Sequence, residues 1–324
     1  MPPNSRIPPL LQPFVRTPKN DSLLLLTSTL DASANWLLTR FLCDALGSGA
    51  KDDDNGGPKN VVLVSWMRDY EGRLAFVDGL SELFLPIEHD DGVAQQRPQN
   101  LPTTPTGMPA TRGPQTLPVR GPPGRTAPTT AQASPRTPTT PPGLFTLSST
   151  SLDHINDTIS TAIASLRPST AATKTLVILD NPDILLATDP NLTPSKQTSL
   201  FLSLHTQKSV SHVLVHLQSD LALLATPEKP SPLQIAQQNL VVKTAHMSTK
   251  VLGVRLLDTG VARDVSGVLR VTVNRDSWAD IATVRDQEDG GAVQAPEEKG
   301  IEVLYKVNGD GSVKVFERGT GGTA

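Results

Sequence analysis

Cysteine is almost absent: Cys43 stands alone among 324 residues. One thiol excludes an internal disulfide and a cysteine-based zinc site, and it fits a reducing compartment. Aromatic residues make up only 4%, so a core must come from Leu, Val, Ile and Ala. Neither sign of charge dominates. Lys and Arg number 29 against 32 Asp and Glu, a net of −3, which excludes a globally basic nucleic-acid binder but not a local basic patch. Long apolar runs are missing as well. No stretch approaches the ~18 apolar residues of a membrane helix. Proline interrupts residues 1–20 repeatedly, which leaves no apolar region of a secretory signal. The expectation is a soluble, intracellular chain with no membrane partner.

Proline, by contrast, is abundant and unevenly placed. It fills a lead-in over residues 1–20, and thirteen of the 29 fall between Pro98 and Pro142. From Gly92 to Leu152 there is no acidic residue, while Arg97, Arg112, Arg120, Arg125 and Arg136 leave the stretch at about +5. That composition cannot bury enough apolar surface to offset chain entropy, so residues 93–143 read as a disordered insertion. Strand patterns continue beyond it. The reading is therefore one domain over residues 21–318, interrupted by the insertion, with a fraying tail over 319–324. The insertion serves as a solvated spacer, a polyanion contact or a substrate of proline-directed kinases.

The remaining segments alternate between short aliphatic runs and helical spacing. Leu23–Thr27 reads as a buried strand, and Ala34, Leu37, Leu38, Phe41, Leu42 and Ala45 form one face of a following helix. Val61–Ser65 is a second doubly buried strand, and strand–helix–strand implies a parallel sheet covered by helices. Tyr70–Phe84 reads either as one helix or as a strand at Arg73–Val77 with a short helix after it. The strand alternative meets an objection, because the link from Val61–Ser65 is shorter than the dozen residues a parallel crossover usually takes. Further along, Leu152–Leu166 is a helix, Thr175–Asp180 a buried strand and Ser195–Thr206 a helix. Val210–Leu217 and Leu240–Lys243 read as strands. Val251–Leu257, Gly267–Asn274, Ile301–Val307 and Val313–Phe316 read as an antiparallel meander, with Asn308–Gly311 as its last turn. The fold class is α/β: a mostly parallel sheet flanked by helices, then antiparallel strands.

A strand–loop–helix at the start of such a sheet is where a phosphate-binding loop sits. That loop needs G-x-x-x-x-G-K-[ST], so that backbone amides approach the phosphates and a lysine neutralises them. Here the slot runs from Thr27 to Asn35 with no glycine and no lysine. Ser28, Thr29, Asp31 and Ser33 are what remains of it, and Asp31 would repel a triphosphate. Asp180, at the end of a hydrophobic strand, holds the position of a magnesium-binding carboxylate. Without the phosphate loop it reads as turn chemistry with Asn181, Pro182 and Asp183. His212 and His216 lie four apart in a strand pattern with no further ligand nearby, and Cys43 reads as packing. No catalytic residue, cofactor or metal follows from this inventory.

Four segments in order resemble the fungal form of the Elongator complex protein 6 family: Leu23–Leu42, Val61–Glu71, Gly72–Phe84 and Thr175–Ala187. The resemblance implies a RecA-like fold that has lost its nucleotide motifs. It implies a structural, non-catalytic subunit in a six-membered ring with Elongator proteins 4 and 5. That ring binds tRNA and supports wobble-uridine modification by the catalytic Elongator subunits, in the cytoplasm and also the nucleus. Arg68 and the five insertion arginines are the candidate RNA contacts. The resemblance also implies a helix before Ala75 that this chain lacks, since Glu71 runs directly into Gly72. The rival readings are a RecA-like ATPase with a degenerate site and an adaptor acting through the proline-rich loop.

Overall fold

The computed structural model describes residues 7–17, 21–47, 60–66, 74–83, 143–166, 174–224, 229–257, 262, 264–274 and 300–317. Among the described residues ten strands form one sheet: β1 Ser22–Ser28, β2 Asn60–Ser65, β3 Ala75–Asp78, β4 Leu144–Thr146, β5 Thr175–Asp180, β6 Val210–Gln218, β7 Lys250–Arg255, β8 Gly267–Val273, β9 Ile301–Val307 and β10 Val313–Glu317. Their order across the sheet is β4-β3-β2-β5-β6-β1-β7-β8-β9-β10. The first seven in that order run parallel. The pairs β7–β8, β8–β9 and β9–β10 are antiparallel. The sheet is thus mixed, mostly parallel and flanked by helices, as the strand patterns imply.

The period-2 pleat divides the aliphatic runs between two cores. Leu23 and Leu25 face one side with Val62, Val64, Val177, Leu179, Val213 and Val215. That side is covered by α3 (Leu152–Ser165), α5 (Pro194–His205) and α7 (Pro232–Met247), which contribute Ile155, Ile159, Phe201 and Leu240; the short α4 (Ile184–Thr188) and α6 (Leu221–Leu224) fall between them in sequence. Leu24 and Leu26 face the other side, under α2 (Asn35–Gly47) and the short α1 (Gln12–Val15). Leu11 and Val15 of the proline-rich lead are fully buried there. Trp36 of α2 meets Tyr305 of β9 at 4.7 Å between ring centroids, which ties that layer to the antiparallel end of the sheet.

One expectation is overturned, one is extended and one open choice is resolved. Residues Leu240–Lys243 are not a strand but the middle of α7. Ser231 and Gln234 form a reciprocal capping box with Pro232 in the first turn. Gln237, Leu240 and Thr244 are the buried residues, at helical spacing, so capping and periodicity override the β preference of Leu-Val-Val. The antiparallel meander is present as β7–β8–β9–β10, and β7 also lies parallel beside β1, which joins it to the parallel part of the sheet. Tyr70–Phe84 is not one helix. A strand occupies Ala75–Asp78, in parallel register with Val62–Ser65, and Ser81–Leu83 is a turn. The crossover objection dissolves because β3 has only four residues and pairs with the last part of β2. The return along the sheet is then only about three residue rises, roughly 10 Å. Trp66 packs over Gly79, where a Cβ would stand 2.7 Å from the indole. The segment of 93–142, the tail from 318 and the acidic stretch 275–299 lie outside the described residues.

Candidate functional site

In open parallel sheets the ligand crevice lies beyond the carboxyl ends of the strands. Here that edge is formed by β1, β6, β5 and β2, and their register brings polar ends together. Asp180 sits opposite both Ser65 and His216, and Ser28 opposite Gln218. The side chains form one buried chain. Ser28 Oγ is 2.8 Å from His216 Nε2, and His216 Nδ1 is 2.7 Å from Asp180 Oδ1. Ser65 Oγ donates to Asp180 Oδ2 at 3.0 Å. Ser28, Ser65, Asp180 and His216 are each at most 3% exposed. The spacing matches a serine–histidine–aspartate catalytic set, but Ser28 is out of reach of any substrate. Both oxygens of Asp180 are engaged within the protein, one by His216 and one by Ser65.

The loop after β1 is equally closed. Ala32 N–H donates to Thr29 C=O at 2.9 Å, making a tight turn. Leu30 N–H donates to the Asp220 carboxylate at 2.8 Å. Ser28 C=O accepts from the Ser219 N–H and hydroxyl, at 2.8 Å and 3.0 Å. Ser33 Oγ accepts from Asn35 N–H at 3.3 Å as the chain enters α2, while Asp31 is exposed. No residue from Thr27 to Asn35 adopts a left-handed φ, so this loop does not wrap an anion with successive amides in the manner of a nest. A carboxylate supplied by the neighbouring strand end occupies one of the amides instead.

The turn after β5 holds a second buried group. Asn181 takes φ 57°, a left-handed conformation that asparagine tolerates. It directs Asp183 inward rather than to solvent. Asp183 Oδ2 accepts from Gln218 N–H at 3.0 Å and Gln237 Nε2 at 2.8 Å. Its Oδ1 has no hydrogen-bond partner among the described residues. Burial raises the Asp183 carboxyl above the ordinary carboxylate range, against the pull of these donors. Gln197 Nε2 donates to Pro182 C=O at 2.6 Å.

The two histidines serve different ends of β6. His216 belongs to the carboxyl-edge chain, while His212 Nδ1 lies 2.9 Å from Ser22 Oγ at the amino edge. Burial pushes His212 down to about 4. Cys43 is half-buried in α2. Arg68, Arg97, Arg112, Arg120, Arg125 and Arg136 lie outside the described residues. Among the described residues there is no cluster of three or more potential metal ligands, and no helix is long and apolar enough to cross a membrane. An open groove of about 680 Å³ runs between the starts of α3 and α5. It mixes Asp153 and Asp189 with Lys196 and serine hydroxyls.

Sequence reasoning reached Ser28 and Asp180 but missed His216 and Ser65 as their partners, Asp220 as the acceptor for Leu30 N–H, and the buried contacts of Asp183 with Gln218 and Gln237. The available signal was the clustering of polar residues at the ends of otherwise aliphatic strands.

No protein-family model matches the chain, and no curated protein does. Among solved structures it is similar to a KaiC-like protein from the hyperthermophilic archaeon Pyrococcus horikoshii, at 10% identity and a TM-score of 0.39, over 92% of this chain and 90% of that one. A likeness that remote transfers no function.

Proposed function

We propose that the chain is a non-catalytic, RecA-like assembly subunit of the Elongator type. In this reading it joins Elongator proteins 4 and 5 in a six-membered ring that binds tRNA. The ring supports wobble-uridine modification by the catalytic Elongator subunits, in the cytoplasm and the nucleus. The observation that carries the non-catalytic part is the closed carboxyl edge. Leu30 N–H is held by Asp220, and Asp180 is held by His216 and Ser65. The loop amide and the strand-end carboxylate are thereby each bonded to other groups of the chain. The Elongator assignment is supported by the four ordered segments that resemble that family.

The test is co-expression with Elongator proteins 4 and 5, followed by native mass measurement. A stable complex containing all three is the expected result. Failure of the chain to co-purify with either protein would refute the assignment. Binding of magnesium-ATP by the purified chain would refute the pseudo-ATPase part. A ligand at a hundred times its Kd raises stability by about 2.7 kcal/mol, so thermal melting with and without nucleotide reads this directly.

A further inference from the structure

Residues 7–17 precede β1 and lie on the α2 side of the sheet. Their composition is that of a proline-rich tail, but their packing is that of a docked peptide. Leu11 and Val15 are fully buried. Ile7 and Phe14 are half-buried against the same core. Positions 7, 11, 14 and 15 fall at i, i+4, i+7 and i+8, the spacing of one helical face. Leu10, Gln12, Pro13 and Arg16 are exposed.

Side chains, not backbone, attach this segment. Its backbone hydrogen bonds close on themselves: Leu11 and Gln12 N–H donate to Pro8 C=O, Val15 N–H to Leu11 C=O and Arg16 N–H to Gln12 C=O. Among the described residues no backbone hydrogen bond joins it to the sheet or to α2. Lys250 Nζ of β7 donates to Pro13 C=O at 3.4 Å. Burial raises the Asp44 carboxyl of α2 above its ordinary range, and the charge of Arg16 pulls it back. An amphipathic helical peptide occupies a groove in this way, with apolar anchors carrying the affinity. Pro8, Pro9 and Pro13 fix part of its backbone, so less chain entropy is lost on docking.

The tether is short. Thr17 precedes Pro18, which favours an extended backbone at Thr17. Five residue steps separate Thr17 from Ser22 of β1, a reach of roughly 17 Å when extended. A lead on such a tether can dock on its own body or on that of a neighbour.

We infer that the groove between α2 and β7 is an exchangeable docking site, and that residues 7–17 of a second copy of this chain fill it in place of the resident lead. The groove selects what already fits it: apolar side chains at i, i+4 and i+7 among prolines, with a cation to face Asp44. Each copy gives its lead and receives the other's, so the burial of Leu11 and Val15 is kept and a two-fold dimer results. Only the path of the tether changes, and concentration sets the balance between monomer and exchanged dimer.

The host in the experiment is the full chain, and the probe is a fluorescein-labelled peptide of residues 7–17, read by anisotropy. In Leu11→Asp/Val15→Asp the resident lead no longer docks. That variant binds the peptide, and the peptide raises its melting temperature. Wild type binds the peptide more weakly, by roughly a hundredfold or more, because its own lead competes at high effective concentration. A peptide carrying the same two substitutions binds neither host. Leu11→Ala, which shortens one anchor and keeps Val15, is the milder host should the double variant unfold; it also binds the peptide more tightly than wild type. Wild type held at high concentration in mild urea and then diluted yields a dimer by native mass measurement, and the double variant yields none. The inference is overturned if neither variant takes up the peptide, or if the substituted peptide binds as well as the native one. It is also overturned if wild type stays monomeric at every concentration, or if the double variant dimerises as wild type does. The experiment uses this chain alone, so its outcome is independent of the Elongator proteins.

Discussion

Replacing Asp180 by alanine separates a structural carboxylate from a nucleotide-site relic. Asp180 is 3% exposed and accepts from His216 Nδ1 at 2.7 Å and Ser65 Oγ at 3.0 Å. Asp180→Ala strands both donors, and through His216 it loosens the bond to Ser28 at 2.8 Å. Hydrogen bonds to an ionised group contribute about 1.5–3 kcal/mol each. Relief of the buried carboxylate offsets part of the loss, and removing one partner of a buried pair typically costs about 3–5 kcal/mol. At roughly 2–4 °C per kcal/mol for a fold of this size, the melting temperature falls by on the order of 10 °C. Urea unfolding followed by circular dichroism measures the change. Asp180→Asn keeps the shape and one acceptor, so it costs less than alanine. A carboxylate retained for magnesium behaves in the opposite way, since functional charges are often released at a gain in stability. If Asp180→Ala is neutral or stabilising, the carboxyl edge is not a structural lock and the reasoning fails.

Two further perturbations test the amino edge and the corrected helix. His212 is held neutral by burial, with its pKa lowered to about 4 from an ordinary 6.5, so the unfolded chain binds the extra proton first. The stability that this contributes is fully present above pH 6.5 and is lost as pH falls toward 4, on the order of 3 kcal/mol in all. His212→Gln should flatten the pH dependence of urea midpoints across that window, and an unchanged slope would refute the assignment. In α7, Leu240→Ala removes a fully buried side chain and should cost about 2–5 kcal/mol, while Val242→Lys, at a position 47% exposed, should be nearly neutral. Comparable losses at both positions would favour the strand that the local sequence suggests.

What could be read from the sequence depended on whether the signal was local. Leu23–Leu26, Val61–Val64 and Leu176–Leu179 are doubly buried strands because nothing polar interrupts them, and a parallel sheet follows from that alone. Leu240-Val241-Val242 misleads because its β preference is local, whereas its burial is set by Gln237 and Thr244, polar residues with no hydrophobic weight. The three-residue β4 carries too little pattern to be seen. The site was harder still. Ser28 and Asp180 mark a slot that a motif search reaches, but His216 and Asp220 lie 188 and 190 residues from their partners in β1 and its loop. Only strand order brings them into contact.

The two ends of this sheet have exchanged the usual division of labour. In a parallel sheet the carboxyl edge is ordinarily the open, reactive margin. Here that margin is sealed by side chains that satisfy one another, which rigidifies a polar network rather than presenting it. Freeing Asp180 means breaking its buried bonds to His216 and Ser65, while freeing Leu30 N–H means breaking its separate, exposed bond to Asp220. The antiparallel extension runs the other way: its outer face keeps cations and an exposed ring unburied, although Lys306 and Lys314 repel across the strands. Selection for stability alone would place an acidic residue opposite one of those lysines, as Glu302 stands opposite Arg270. Lys306 is held by Asp264 at 3.2 Å and Lys314 acts on Asp310, so Lys314→Glu measures how much of the repulsion the chain leaves unrelieved. The substitution should raise the melting temperature slightly, by placing a carboxylate opposite Lys306. A variant no more stable than wild type would show that the repulsion is already relieved within the chain.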